Sequence, residues 1–213
     1  MALTVDYYFV PISPWTYLGH ARFDALARAA GADVRVLPVD IGGRVFPVSG
    51  GLPLGKRAPQ RQAYRLQELK RFSEHLGLPL NLHPRFFPVA PDDASRLIIA
   101  VDMHDGSAAA MRLTGAVLSA VWAQERNIGD AAVLASLLSE QGLPAERLAE
   151  SRLPAAQQRY DADTQQAIDA GVFGAPSYVI DGEIFWGQDR LDFVQRRLAA
   201  AAARVPAAKG ETP

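Results

Sequence analysis

Ser13 is the residue of this chain best placed for chemistry, because it stands between a predicted strand and a predicted helix. Ser is a favoured N-cap residue, and the following Pro14 is favoured at the first position of a helix. A helix that starts here presents unpaired backbone N–H groups and the positive end of its dipole beside the Ser13 hydroxyl. Such a place favours an anion, for example a thiolate, although ordinary capping is the commoner reason for a Ser-Pro pair.

Two short segments near the C-terminal end carry the other candidate residues. Pro176 precedes a predicted strand, and a cis Ala175–Pro176 bond would turn backbone groups toward the first helix, where an extended peptide could pair. A strand-initiating proline is the plainer alternative. Gln188 and Asp189 open the last predicted helix with Asp189 as its N-cap, and the free N–H groups there can hold a carboxylate. Capping alone also accounts for Asp189.

Charge and cysteine content exclude several classes of function. The chain has 213 residues, with 22 Lys and Arg against 23 Asp and Glu and a formal net charge of −1. These charges are mixed along the chain, so the chain lacks the cluster of basic residues that is typical of nucleic-acid-binding proteins. Zero cysteines exclude a disulfide framework, Cys-ligated zinc and a thiol nucleophile in the chain, so any thiol must come with a ligand. The four histidines lack metal-ligand spacing, and we assign no metal.

The sequence also lacks the patterns of export and membrane insertion. Its N-terminus has no basic segment, and Asp6 interrupts the apolar run that follows. The weakly polar stretch 107–122 is broken by Arg112 and is too short to span a bilayer. We therefore expect a cytosolic protein with no membrane role.

The elements that position Ser13 form a βαβ unit. Residues 3–10 are β-branched and aromatic with Asp6 as their one charge, which predicts a largely buried strand. A helix over residues 14–30 follows and ends at Gly31, and a second strand includes the valines of 34–39. A right-handed connection between the two strands makes them parallel.

The middle of the chain changes from a loop to helices. Residues 42–59 are rich in Gly and Pro and predict a long loop of a kind that is often functional. Helical spacing then covers residues 60–76, and residues 78–91 are extended. Further helices are predicted over 92–105, 108–126, 130–141, 145–151 and 154–170.

The C-terminal part completes a thioredoxin-like α/β fold. Strands over 177–180 and 183–186 flank a two-residue hairpin turn, a helix covers 189–203, and a frayed tail covers 204–213. The order βαβ, helical insertion, ββα predicts a thioredoxin-like domain from residues 1–41 with 171–203. Residues 42–170 then form the loop and a large all-helical insertion. The site is expected at the start of the first helix, beyond the carboxyl end of the first strand.

Three segments resemble the 2-hydroxychromene-2-carboxylate isomerase family, which is related to kappa-class glutathione transferases within the thioredoxin-like superfamily. They are residues 13–19 (SPWTYLG) after 6–9 (DYYF), residues 171–176 (GVFGAP) and residues 185–191 (FWGQDRL). The resemblance covers about residues 3–200. It implies a glutathione-dependent isomerase of naphthalene-type aromatic catabolism, which interconverts 2-hydroxychromene-2-carboxylate and trans-o-hydroxybenzylidenepyruvate.

The resemblance also implies roles for single residues. Ser13 would be catalytic, donating a hydrogen bond to the glutathione sulfur and stabilising its thiolate. The thiolate would add to the conjugated carbon, allow rotation about the resulting single bond, and leave. The backbone of Ala175, before cis-Pro176, would pair with the cysteinyl part of glutathione, while Gln188 and Asp189 would hold its γ-glutamyl end. Relatives of this kind also imply a homodimer.

Two positions depart from the family's glutathione site. The family has an Asn in the long loop, where this chain has Gly51-Leu52. It also has a Lys just before the following helix, which aligns best with Arg61 and less well with Lys56. An arginine can still hold a carboxylate, and more firmly when the contact is bidentate.

The substrate and the reaction outcome leave alternatives open. For a small aromatic carboxylate we predict contacts from Trp15 and Arg85, with Arg96 as a further candidate; a surface arginine near a helix start is the plainer explanation of each. A kappa-like glutathione transferase would use the same residues but release a stable conjugate. A non-catalytic thioredoxin-like module would instead pair a peptide along the Pro176 edge.

Overall fold

A four-stranded sheet organises residues 3–202, which are the residues that the computed structural model describes. Its strands are β1 (Thr4–Phe9), β2 (Asp33–Pro38), β3 (Ser177–Ile180) and β4 (Glu183–Trp186), in the order β2-β1-β3-β4. Strand β1 pairs in parallel with β2 and antiparallel with β3, and β3 pairs antiparallel with β4. This sheet confirms the predicted thioredoxin-like α/β fold.

Helices cover the sheet and fill the chain between β2 and β3. In the described residues they are α1 (Pro14–Ala29), α2 (Phe46–Ser49), α3 (Pro59–Leu76), α4 (Asp92–Asp105), α5 (Ser107–Trp122), α6 (Ala131–Glu140), α7 (Arg147–Glu150), α8 (Pro154–Asp169) and α9 (Leu191–Ala202). The insertion is therefore helical as predicted. None of the described helices is long and apolar enough to cross a bilayer.

The central strands β1 and β3 are buried on both faces of the sheet, which explains why the sequence of β1 is a nearly continuous apolar run. Val5, Tyr7, Tyr8 and Phe9 are fully buried. Val5, Tyr7 and Phe9 join the largest apolar cluster, which includes residues of α1, α4, α5, α6 and α9. Tyr8 belongs to a second cluster with residues of β2 and α8. One core thus extends from the sheet into the insertion, while the predicted division at residues 42 and 170 stays a prediction.

Three predicted elements differ from the structure. The loop over 42–59 contains a π-helical turn (Ile41–Val45), the short helix α2 and a 3-10 turn (Leu54–Lys56); Asp40 caps the first of these by accepting a hydrogen bond from the Gly43 amide at 2.7 Å. The helix predicted over 108–126 ends at Trp122, because the backbone of Ala123 leaves helical geometry with φ −121°, and Glu125 then has a positive φ of 52°. The last helix begins at Leu191 and not at residue 189, since Gln188–Arg190 form a 3-10 turn.

The hairpin between β3 and β4 follows the prediction residue for residue. Asp181 and Gly182 both have positive φ, 49° and 79°, as a tight primed turn requires. The predicted frayed tail, residues 204–213, and the end of the last helix at residue 203 lie outside the described residues.

Candidate active site at the start of helix α1

Ser13 caps helix α1, as the sequence predicts. Its backbone is extended (φ −79°, ψ 122°), and its Oγ accepts a hydrogen bond from the Thr16 amide at 3.2 Å. Because this bond uses the oxygen as acceptor, the hydroxyl hydrogen stays available for donation. Ser13 is 8% exposed, so the residue itself is largely shielded from water.

A second donor lies beside the Ser13 hydroxyl. Pro14 has no N–H group, and the Trp15 amide has no hydrogen-bond acceptor among residues 3–202. The Trp15 N–H therefore points out of the first turn together with the positive end of the dipole of α1. Two donors and a helix dipole at one point favour a bound anion.

The side chain of Trp15 packs onto helix α3. Its ring meets the Phe72 ring edge-on, with 6.1 Å between the centroids. Tyr17, on the next turn of α1, donates its hydroxyl to the Pro79 carbonyl at 2.7 Å. These contacts fix the first turns of α1 against the insertion. The predicted substrate contact of Trp15 stays a prediction.

Ala175 and Pro176 lie at the same end of the sheet as Ser13. The register of β1 and β3 pairs Tyr8 with Ser177, and its continuation sets Ala175 opposite Val10. The Val10 carbonyl accepts a hydrogen bond from the Ser13 amide at 3.0 Å, which returns the chain toward the sheet. The Ala175–Pro176 peptide bond is cis, as predicted.

The backbone N–H and carbonyl groups of Ala175 are available to pair with an extended segment of a ligand. Neither its N–H nor its carbonyl makes a hydrogen bond within the described residues. The next carbonyl, of Pro176, already accepts from the Gly187 amide at 2.9 Å. The structure therefore leaves one residue, beside the Ser13 turn, where an extended ligand can pair with the main chain.

Gln188 and Asp189 occupy different environments. Gln188 is buried, and Arg22 of α1 donates to its backbone carbonyl at 2.9 Å and also to its side-chain oxygen. Asp189 is exposed and pairs with Arg190 at 3.0 Å. Gly187 is the N-cap of the 3-10 turn, so the prediction that Asp189 caps the last helix is wrong. The cap lies two residues earlier than the sequence pattern indicated.

Arg22 was missed in the sequence, and Gly19 was its available signal. A glycine inside a helix pattern often marks a close approach of another chain segment. A Cβ atom at Gly19 would lie 2.8 Å from the Gln188 Cβ and 3.0 Å from the Tyr178 hydroxyl. Arg22, three residues along the same helix face, then reaches Gln188.

Arg61 lies exposed in the first turn of α3, and Lys56 lies exposed in the preceding 3-10 turn. The family's Asn position shows why this chain departs from the pattern. A Cβ atom at Gly51 would overlap the ring of Phe46, so no asparagine side chain fits there unless that ring moves. The predicted glutathione contacts of Arg61 and Lys56 stay predictions.

Arg85 and Arg96 are not equivalent candidates. Arg85 is exposed, with its guanidinium 5.2 Å from the centroid of the Phe86 ring. Arg96 is engaged within the insertion, pairing with Asp93 and donating to Gln157 at 2.8 Å. Arg96 thus has polar partners in the protein that Arg85 lacks among the described residues, and the substrate contacts suggested for both arginines stay predictions.

A buried polar network supports α1 beneath the site. The His20 ring shares one hydrogen bond with the Tyr7 hydroxyl at 3.2 Å and another with the Met111 carbonyl at 2.9 Å. Burial lowers the pKa of His20 and raises that of Tyr7, which keeps both neutral near pH 7. The nearby Thr16 hydroxyl is fully buried and has no hydrogen-bond partner among the described residues.

Comparison with known proteins supports the fold and identifies the family. A family model described as a DSBA-like thioredoxin domain matches residues 4–199. A 2-hydroxychromene-2-carboxylate isomerase of Sphingobium xenophagum is 30% identical over 199 residues, covering 93% of this chain and 99% of its own. The chain belongs to the 2-hydroxychromene-2-carboxylate isomerase family, among the DsbA-like thioredoxin domains.

Two further relatives are consistent with this membership. A 2-hydroxychromene-2-carboxylate isomerase of Pseudomonas putida is 31% identical over 192 residues, covering 89% of this chain and 91% of its own. A solved structure of a 2-hydroxychromene-2-carboxylate isomerase superposes with a TM-score of 0.76 at 27% identity, covering 93% of this chain and 96% of that one. The resemblance predicted from the sequence is confirmed. The homodimer and the cytosolic location stay predictions for this isomerase family member.

Proposed function

We propose that this protein is a glutathione-dependent isomerase that interconverts 2-hydroxychromene-2-carboxylate and trans-o-hydroxybenzylidenepyruvate. The observation that carries the proposal is Ser13, whose hydroxyl is shielded, free to donate and seated at the start of α1. Relatives of about 30% identity over nearly the whole chain carry the isomerase name. The chain has no cysteine, so a thiol mechanism here depends on a thiol brought by the cofactor.

The residues around Ser13 fit a thiolate. When bound, glutathione supplies a sulfur that adds to a conjugated carbon and later leaves, so that a former double bond can rotate. The Ser13 hydroxyl and the Trp15 amide donate toward that position, and the dipole of α1 adds positive potential. Each of these effects favours the ionised thiol over the neutral one.

Other residues fit the peptide part of glutathione. The unpaired backbone of Ala175 offers one donor and one acceptor to an extended cysteinyl unit. Asp189 presents an exposed carboxylate for the α-amino group, and the Gln188 side chain contributes indirectly, since Arg22 already binds it. Arg61 is the cation within the first turn of α3 that would meet a carboxylate.

The test is product analysis with 2-hydroxychromene-2-carboxylate and glutathione. We expect interconversion of the two isomers with full recovery of free glutathione. Consumption of one glutathione per substrate would instead identify a glutathione transferase. The absence of turnover at millimolar glutathione would contradict both catalytic functions and leave a thioredoxin-like binding module.

A further inference from the structure

A cavity of about 340 Å³ lies between helix α3 and the extended segment that follows it. Leu66 of α3 and Leu82 and Phe87 of the segment give it apolar walls. Its polar lining residues include Gln62, Arg65 and His83. Such a lining suits a small ligand with an apolar body and one charged or polar end.

Arg65 supplies the charge of this cavity. Its guanidinium carbon lies 5.6 Å from the centroid of the Phe87 ring and 5.8 Å from that of Trp122. Within residues 3–202, Arg65 makes no side-chain hydrogen bond and no ion pair. The guanidinium carbon thus lies over two aromatic rings, and no polar group among the described residues competes with a ligand for its N–H groups.

The neighbourhood of Arg65 is positively charged. Burial and the nearby Arg57 lower the pKa of Arg65 to about 10, so it remains charged at pH 7. Burial also lowers the pKa of Arg57, and the positive charge of Arg61 lowers it further. No carboxylate in the described part of the chain forms an ion pair with any of these three arginines. Arg65 is the one of the three that lines the cavity, and an anionic ligand there would offset the repulsion between it and Arg57.

We propose that Arg65 binds the substrate carboxylate, with the aromatic ring of the substrate against Leu66, Leu82 and Phe87. This assignment rests on the proposed function, which supplies an aromatic carboxylate as substrate. The sequence suggested Arg85 as the residue that contacts the substrate carboxylate. This assignment transfers that role to Arg65, which lines the cavity. The exposed Arg85 is not among the residues that line this cavity.

The position of Arg65 along α3 fits a substrate that also reaches Ser13. Arg65 and Phe72 lie on one face of α3, seven residues apart, which is about 10 Å along a helix axis. Phe72 meets the ring of Trp15, two residues after Ser13. The Trp15–Phe72 contact thus brings the start of α1 against the helix that carries Arg65, and we orient the substrate with its carboxylate on Arg65 and its reacting carbon toward the start of α1.

Calorimetry with trans-2-hydroxycinnamate, in the absence of glutathione, tests the carboxylate site without catalysis. The variants are Arg65→Met, Arg65→Lys and, as a matched control on the same helix, Arg71→Met. Arg71 is exposed and pairs with Glu68 at 2.5 Å, outside the cavity. The carboxamide of the same probe measures the part of binding that does not need the negative charge.

We expect wild type and Arg71→Met to bind the probe equally, and Arg65→Met to bind it at least tenfold more weakly. Arg65→Lys should lie between them, because lysine keeps the charge but not the planar fork. Wild type should bind the carboxamide as weakly as Arg65→Met binds the acid. If Arg65→Met does not fold, the acid and carboxamide affinities of wild type, together with Arg65→Lys, decide the question.

Binding of the acid by Arg65→Met within twofold of wild type would overturn the assignment, as would equal affinity of wild type for acid and carboxamide. Glutathione is titrated into the same proteins to separate the two proposals. Arg65-dependent probe binding without any glutathione binding would contradict the proposed function and leave the carboxylate site standing. Glutathione-dependent turnover with an unchanged KM in Arg65→Met would support the proposed function and contradict the assignment of the carboxylate site to Arg65.

Discussion

Gly19 lies directly against Gln188, and a methyl group at Gly19 would come within 2.8 Å of the Gln188 Cβ. This contact, together with the hydrogen bonds from Arg22, fastens the Gln188–Arg190 turn to helix α1. The same helix begins at Ser13, so the two ends of the proposed glutathione site are set by one rigid element.

Gly19→Ala should therefore loosen the turn. Alanine favours the helix by about 1 kcal/mol, but overpacking against Gln188 destabilises by about 1–3 kcal/mol, so we expect a net loss of stability and weaker glutathione binding. Thermal unfolding and calorimetry measure the two effects. Ala21→Gly, at an exposed position of α1, gives the propensity effect alone. A more stable Gly19→Ala protein with unchanged binding would show that the turn is not held by this contact.

Thr16→Val tests whether the buried Thr16 hydroxyl contributes to glutathione binding. Valine has nearly the same shape, and a buried hydroxyl without a partner is destabilising by about 1–3 kcal/mol. We expect the variant to unfold at a higher temperature, with glutathione binding unchanged. A loss of glutathione affinity would instead assign this hydroxyl to the ligand.

His20 makes stability depend on pH. Burial lowers its pKa in the folded state below the usual value of about 6.5, so the folded protein binds fewer protons than the unfolded chain. The contribution of neutral His20 is complete above the unfolded pKa and is lost as pH falls through the folded pKa. Denaturant unfolding between pH 7.5 and 5 should show this decline, and His20→Gln should flatten it. The exposed His75→Gln serves as control, and an identical slope in all three proteins would refute the assignment.

We expect Gly51→Asn to restore the family's residue type without restoring its contact to glutathione. The new side chain must displace the ring of Phe46, and such overpacking destabilises by about 1–3 kcal/mol. We expect a lower melting temperature and no gain in glutathione affinity. Gly55→Asn is the matched control, because nothing lies within 4 Å of a Cβ atom there. Tighter glutathione binding by Gly51→Asn would show that the loop can adopt the family's arrangement.

Local sequence signals predicted most of the fold. The cap at Ser13, the hairpin turn at Asp181-Gly182 and the helix stops at Gly31 and Gly77 depend on backbone preferences within a few residues, and all appear in the structure. The turns within 42–59 were missed because only the first has a side-chain cap, Asp40, which is followed by the helix-breaking pair Gly42-Gly43, while α2 and the 3-10 turn have no side-chain cap.

The parts of the site that depend on distant contacts could not be predicted in this way. Arg65 meets Phe87 and Trp122, which are 22 and 57 positions further along the chain, and nothing near Arg65 in sequence distinguishes it from Arg61 or Arg71. The contact between Arg22 and Gln188 spans 166 positions. Such pairs follow from tertiary packing, whereas the family motifs lie in short segments that the sequence shows directly.

The most direct test of the account is glutathione titration by calorimetry with an ultraviolet readout of the thiolate, at a pH between 7 and 8. Wild type should bind glutathione saturably and show the thiolate signal, and Ser13→Ala should lose that signal. The control variant Ser139→Ala changes an exposed serine of α6 and should keep the signal. Loss of the cap lowers stability by about 1 kcal/mol, so circular dichroism must first show that Ser13→Ala is folded. A thiolate signal that persists in Ser13→Ala, or no binding to wild type at millimolar glutathione, would contradict the account.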